Sequence, residues 1–331
     1  MQHYRYRDSR KRRYAPSHGR WTWIFFLIVS CVVVVGLGVC LIYPLLASKE
    51  KHPSPDTTQV FAPISGVQTQ LEYRTVKYTQ DQVHRGELIL VNNDNLCRFL
   101  EDSNLVSVYE EKGEGYKVSD TTVKVQKSVI TPLNEMMRDF QHLTGYDEVM
   151  VASGYRSKEH QTRIFNNNAL QDGLTEAEKW IARPGGSEHH TGYVVDLSIY
   201  TDQGLSLDYD GTEECRWINA NCQEYGFVVR YPEDKTKVTG IDYEPWHFRY
   251  VGKPHAIVMT EQHLCLEEYI EYIKQYPVDE GHLQVTDGDG VTYEIYYVPA
   301  EGESTDVFVP KDKEYQVSGN NVDGFIVTVT L

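Results

Sequence analysis

Two short strand-like runs constrain this chain more than any other feature, because each carries one metal-ligating residue type among residues that strands favour. Val194, Val195, Leu197, Ile199 and Tyr200 are strand formers, which puts Asp196 on a strand and His189 in the loop leading into it. Period-two alternation sets Val194, Asp196 and Ser198 on one face, with Tyr193, Val195 and Leu197 on the other. Residues 246–251 read the same way, with His247 and Arg249 on one face and Trp246, Phe248 and Tyr250 on the other. His189, Asp196 and His247 offer three ligands, and Glu244 adds a carboxylate beside them. That is the set a hydrolytic zinc site needs, with a fourth position left for water. Strand-borne ligands give such an ion a rigid base. Each of these residues taken singly reads as an ordinary loop or strand residue. The spacing is not a short zinc signature such as H-E-x-x-H, so the clustering carries the reading.

Ser187-x-His189-x-x-Gly192-x-x-x-Asp196 followed by Glu244-x-x-His247 closely resembles the VanY-type D-alanyl-D-alanine carboxypeptidases, zinc enzymes that trim peptidoglycan stem peptides. The similarity extends to Ser153-Gly154-Tyr155-Arg156-Ser157 with Gln161, to Tyr225-Gly226-Phe227, and to Arg230-Tyr231-Pro232. Gly240-Ile241 and Phe248-Arg249-Tyr250-Val251-Gly252 complete it, within residues 88–275. The resemblance implies an α+β fold, the hedgehog/DD-peptidase-like zinc peptidase domain, with an antiparallel sheet carrying the site and helices behind it. It implies one Zn2+ per chain on His189, Asp196 and His247, with Glu244 as the base that assists attack by zinc-activated water. Arg156 would bind the substrate or polarise its scissile carbonyl, and an arginine suits a free carboxylate because its planar fork pairs bidentately. Ser153, Tyr155, Gln161, Ser187 and Trp246 would contact substrate. A serine nucleophile at Ser153 or Ser187 would need a base within hydrogen-bonding reach, and neither is read as one.

The implied function is a membrane-anchored zinc-dependent D,D-carboxypeptidase that removes the C-terminal D-Ala of stem peptides or their precursors. An L,D-carboxypeptidase acting on tetrapeptides would use the same zinc chemistry. A non-catalytic zinc domain that binds wall peptides is the alternative of another class, and the intact Glu244 argues against it. So does retention of the whole site against a purely structural surface protein.

The anchor is read from the N-terminus. The first 20 residues carry Arg5, Arg7, Arg10, Lys11, Arg12, Arg13 and Arg20 against Asp8, whereas residues 21–47 carry no charge. About 20 apolar residues suffice to cross a bilayer, and Trp21, Trp23 and Tyr43 stand near the ends, where aromatic rings favour the interface. A cleaved signal peptide is the competing reading, but the uncharged run is too long and Leu45-Leu46-Ala47 is a poor cleavage site. The expectation is a single-pass protein of a bacterial, Gram-positive cell membrane, its basic tail cytoplasmic and its catalytic domain outside. With −16 overall and +6 in the first 20 residues, the remainder carries −22, which argues against a nucleic-acid partner.

The domain division expected is a basic tail (1–20), a transmembrane helix (21–47), a linker (48–70) with Pro53 and Pro55, a zinc carboxypeptidase domain (71–276) and a small all-β domain (277–331). Strands are expected at 71–79, 87–92 and 148–152, and helices at 123–143, 157–170, 212–225 and 261–276. Strands at 292–298, 306–309 and 325–329 build the β-rich end. Asp287, Asp289 and Gly290 suggest an Asx-rich turn in preference to a calcium loop, whose closing Glu is missing. Cys97, Cys215, Cys222 and Cys265 form no C-x-x-C pair, and their pairing is left open.

Overall fold

The β-branched and apolar residues at 194–200 become the middle strand of a six-stranded sheet, and the rest of the catalytic region is arranged around it. The structure, a computed structural model, describes residues 72–98 and 104–331, which fall within one compact unit, Val60–Leu331. The expected basic tail, membrane helix and linker lie outside the described residues, among which no helix is long and apolar enough to cross a membrane.

In chain order the strands begin with β1 (Tyr73–Thr79), β2 (Leu105–Ser107), β3 (Lys117–Val118), β4 (Lys124–Gln126) and β5 (Val149–Ser153). They continue with β6 (Val194–Tyr200), β7 (Ser206–Asp208), β8 (Phe227–Tyr231) and β9 (Glu244–Tyr250). The C-terminal strands are β10 (Leu283–Thr286), β11 (Thr292–Pro299), β12 (Ser304–Pro310), β13 (Tyr315–Gly319) and β14 (Gly324–Thr330). The longer helices are α1 (Lys127–Thr144), α2 (Lys158–Asp172), α3 (Arg216–Asn221), α4 (Lys253–Glu261) and α5 (Leu266–Ile273).

The central sheet runs β3-β5-β6-β9-β8, with β7 paired to β6. Its pairings are antiparallel except β3 with β5, which is parallel, so the sheet is mixed where an all-antiparallel one was expected. Helix α1 supplies the main apolar stripe behind it: Val129, Ile130, Leu133, Met136, Met137 and Phe140 are buried together with Val195, Leu197 and Ile199 of β6. It closes on Gly145 at φ +74°, whose N–H caps Gln141 O at 2.8 Å.

Several expected elements are corrected. The helix expected from residue 123 begins at Lys127, because residues 124–126 are drawn into a ladder with β2. Residues 87–92 form no strand, although Leu88, Ile89, Leu90 and Val91 are buried. Their polar backbone is satisfied from elsewhere: Arg249 Nη2 donates to Glu87 O and Ile89 O, and Asn321 Nδ2 to Leu90 O. The helix expected at 261–276 is shorter, Leu266–Ile273. Helix α4 ends at Glu261, His263 takes φ +52°, and Cys265 starts α5 with Glu268 Oε2 accepting its N–H. The stretch 212–225 is helical throughout only in pieces, with 3-10 turns at Glu213–Cys215 and Cys222–Tyr225 flanking α3. Cys97, Cys215, Cys222 and Cys265 are all free thiols.

The C-terminal strands form an antiparallel sheet, β10-β11-β14-β13. One group of its residues, Leu283, Val285, Ile295 and Ile326, packs with α4 and α5 (Ile257, Leu266, Ile270, Ile273). Another, Tyr296, Val298, Phe325 and Val327, packs with Val307 and Val309 of β12, and β12 pairs along its whole length with β1. Asp287 closes an Asx turn, its Oδ1 accepting from the N–H groups of Asp289 and Val291.

His255 of α4 joins the two regions. Its Nδ1 meets Tyr269 Oη at 2.6 Å and its Nε2 meets Thr328 Oγ1 at 2.9 Å. Burial pushes its pKa down to about 3 from 6.5, so folding favours the neutral ring. The stability this confers is full above pH 6.5 and is lost as pH falls toward 3. At pH 5 the loss is about 2 kcal/mol, from ~1.4 kcal/mol per pH unit. Urea denaturation at pH 7 and pH 5 checks it: His255→Gln should lose about 2 kcal/mol less than the parent over that interval, and parallel losses would acquit His255.

Candidate active site

His189 sits in a 3-10 turn, Glu188–Thr191, that enters β6 through Gly192. Gly192 has φ +74°, a backbone conformation that favours glycine. On the sheet, Asp196 of β6 is the register partner of His247 on β9 and of Ser153 on β5. One cross-strand row therefore holds all three.

Two irregularities shape this row. Val151 faces Leu197 but Ser153 faces Asp196, which is one residue more on β5 than on β6. Val229 faces Phe248 while Tyr231 faces Glu244, two residues more on β9 than on β8. Strict alternation would send Glu244 and His247, three residues apart, to opposite faces. The irregular register instead brings Glu244 Oε2 to 3.6 Å from His247 Nδ1.

His189 Nε2 is 3.1 Å from Asp196 Oδ2, and His247 Nδ1 is 3.1 Å from Asp196 Oδ1. Ligand atoms of the three residues all lie within 4.8 Å of one another. The donor set fits a zinc ion on two observations. His189 Nδ1 donates to Gly154 O at 2.6 Å, which leaves the Nε2 lone pair facing the centre. Asp196 Oδ1 is buried with no hydrogen-bond partner among the described residues. Two imidazoles and one carboxylate are a zinc-type set with a fourth position to spare.

The electrostatics of His189 and Asp196 suit a metal, whereas the pKa of the metal-free His247 ring, which burial would lower, is held up to about 9 by the carboxylates of Asp196, Glu188 and Glu244. Burial, then the nearby Arg156, lower the His189 pKa to about 4, so its ring is the neutral form a metal needs. Burial would raise the Asp196 pKa, but His189 and His247 together hold its carboxyl well below the usual range. Glu244 is the opposite case. Burial pushes its carboxyl up to about 8, with Asp196 adding to the rise and His247 and Arg156 opposing it. A divalent ion on the neighbouring ligands would pull it back toward the ionised form.

Arg156 follows β5, and its main-chain N–H donates to His189 O at 3.0 Å. Its Nη2 lies 3.6 Å from Asp196 Oδ2. Of the residues expected to contact substrate, two hold this arginine: Nη1 donates to Gln161 Oε1 at 2.8 Å and Nη2 to Ser153 Oγ at 3.1 Å. Gln161 is itself tied to Ala182 O at 2.7 Å. Tyr155 is 37% exposed beside Arg156. Ser187 is buried and its carbonyl accepts from His190 N. Trp246 packs against the core that contains α1.

Four residues with no role in the sequence reading stand behind His247. Glu188 Oε1 accepts from Arg230 Nε and Arg249 Nη1, both at 2.8 Å, and the other nitrogens of Arg230 pair with Glu267 at 2.7 and 2.9 Å. Arg230 and Arg249 are 1% and 0% exposed. The available signals were Arg249 on the same strand face as His247, and the place of Arg230 and Arg249 in the family-like stretches.

The family described as "VanY: D-alanyl-D-alanine carboxypeptidase" matches residues 122–253, which include every ligand residue named above. A D-alanyl-D-alanine carboxypeptidase of Enterococcus faecium is 34% identical over 313 residues, spanning 92% of this chain and 95% of that protein. A protein of the same description from Enterococcus faecalis (strain ATCC 700802 / V583) is 33% identical over 275 residues, 80% of this chain and 95% of its own. Among solved structures, the vancomycin-resistance D,D-dipeptidase VanXYg in complex with a D-Ala-D-Ala phosphinate analogue superposes with a TM-score of 0.71 at 32% identity. It covers 78% of this chain and 100% of its own. With near full-length similarity added to the geometry of the site, this chain belongs to the VanY D-alanyl-D-alanine carboxypeptidase family of enzymes.

Proposed function

We propose that this chain is a zinc-dependent D,D-carboxypeptidase that removes the C-terminal D-Ala of peptidoglycan stem peptides, anchored in the membrane by residues 21–47 with its catalytic region outside. The observation that carries the reading is the convergence of His189, Asp196, His247, Glu244 and Arg156 on one side of the β5-β6-β9 sheet. The enterococcal relatives of the same description support the substrate class. The uncharged run behind a basic tail supports the anchor.

His189 Nε2, an Asp196 oxygen and His247 Nδ1 would hold the metal, which when bound supplies Lewis acidity and lowers the pKa of water toward 7. The remaining steps belong to the chain. Glu244 accepts a proton from the attacking water at a carboxylate oxygen and returns it to the departing amine. Arg156, braced by Gln161 and Ser153, presents its guanidinium to the scissile carbonyl or the terminal carboxylate. No acyl-enzyme is needed: Ser153 Oγ accepts from Arg156 instead of facing a base.

The test is mass spectrometry of muropeptides incubated with the zinc-loaded protein. Loss of one alanine from the pentapeptide alone supports the proposal. Loss only from the tetrapeptide moves the enzyme to the L,D class, and no loss from either favours a domain that binds wall peptides without cutting them.

A further inference from the structure

We propose that Glu188 is a positioning residue for the metal centre, keeping the His247 proton on Nε2 and so presenting Nδ1 to the metal. The inference rests on the metal-site reading above and goes beyond it by naming what orients the third ligand.

Glu188 is 1% exposed and its two oxygens have divided tasks. Oε1 takes both arginine donors, Arg230 Nε and Arg249 Nη1, at 2.8 Å each. Oε2 is buried with no hydrogen-bond partner among the described residues, and it faces His247 Nε2 at 3.6 Å. His247 Nε2 is likewise buried and without a partner among the described residues. The other nitrogen of that ring, Nδ1, is turned to Asp196 and Glu244. Two orphan atoms thus face each other across a gap that a shift of a few tenths of an ångström closes to a hydrogen bond. A carboxylate oxygen can only accept there, so Nε2 carries a proton, and a metal taking the place of a proton beside Asp196 would find the Nδ1 lone pair.

The arginines make the arrangement directional. Arg230 is locked by Glu267, and Arg249 by Glu87 O, Ile89 O and Tyr250 O, so neither can follow a rotated carboxyl group. His189 is oriented by a different device, the main-chain carbonyl of Gly154. Each imidazole ligand therefore has its own acceptor on the nitrogen away from the metal.

The experiment uses the full chain with 15N-labelled histidine and the variant Glu188→Gln. Because both arginines demand an oxygen, the glutamine must offer them its carbonyl and turn its NH2 toward His247 Nε2, reversing the polarity of the contact. In the zinc-loaded parent, long-range 1H–15N spectra should show His247, assigned by its loss in His247→Gln, protonated on Nε2 with Nδ1 on the metal. In Glu188→Gln, chelator competition should show zinc bound about 10- to 100-fold more weakly, and the metal-free spectrum should show the Nε2 proton lost. A role confined to bracing the arginines would change unfolding without moving that proton. Metal on Nε2 in the parent overturns the proposal whether or not the variant folds, as does a variant that keeps the parental tautomer and zinc affinity. A parent that takes up no zinc overturns the metal reading itself, which is a separable result.

Discussion

Glu244→Ala is expected to retain one zinc per chain and to lose about 10²–10⁴-fold in kcat, the usual contribution of a positioned general acid–base. The split follows from the geometry. Glu244 is not among the three residues whose ligand atoms converge, yet its Oε2 stands 3.6 Å from the ligand nitrogen of His247. Removing its carboxylate deletes the proton acceptor and leaves the ligands untouched. Burial that pushes its pKa to about 8 also marks it as a group whose charge state its surroundings control. Metal analysis by mass spectrometry, beside D-Ala release from a pentapeptide, checks both halves. Hydrolysis within tenfold of the parent would remove Glu244 as the base; loss of zinc would make it a ligand.

Arg230→Met is expected to cost about 3–5 kcal/mol of stability, as breaking a buried ion pair from one side does. Arg230, Arg249, Glu188 and Glu267 form a group of two positive and two negative charges that balances as it stands. Removing Arg230 alone leaves one surplus negative charge in a region where Glu188 and Arg249 have side chains 0% exposed. The double variant Arg230→Met, Glu267→Met leaves the Glu188–Arg249 pair neutral and should recover most of the loss. Urea denaturation of the metal-free single and double variants measures this. Additive destabilisation would show that charge balance is not what the network supplies.

The candidate metal residues were legible because their types and order are unusual together. Asp196 on a strand, His189 in the turn before it and His247 on a second strand were all anticipated, and each stands so. The elements that depended on distant partners were not legible. Residues 87–91 are apolar and buried like a strand, but their carbonyls accept from Arg249 and Asn321, some 160 to 231 positions away. Ser153 and Gln161, expected at the substrate, also hold Arg156, a contact that no local pattern in the sequence announces.

By itself the sequence picked out the side chains proposed to carry the chemistry, since a metal and a base need particular donor atoms whatever the fold. It also determined that Asp196 and His247 sit on strands, because β-branched and aromatic residues flank both. Only the tertiary structure decided that Glu244 joins them. Alternation along a regular strand sends residues three apart to opposite faces; the pairing of β9 with β8 is irregular between Phe248 and Glu244, and that departure from a regular strand exists only when the strands pair. The same holds for Glu188, whose neighbours in sequence say nothing of the two arginines and the histidine that pairing places around it.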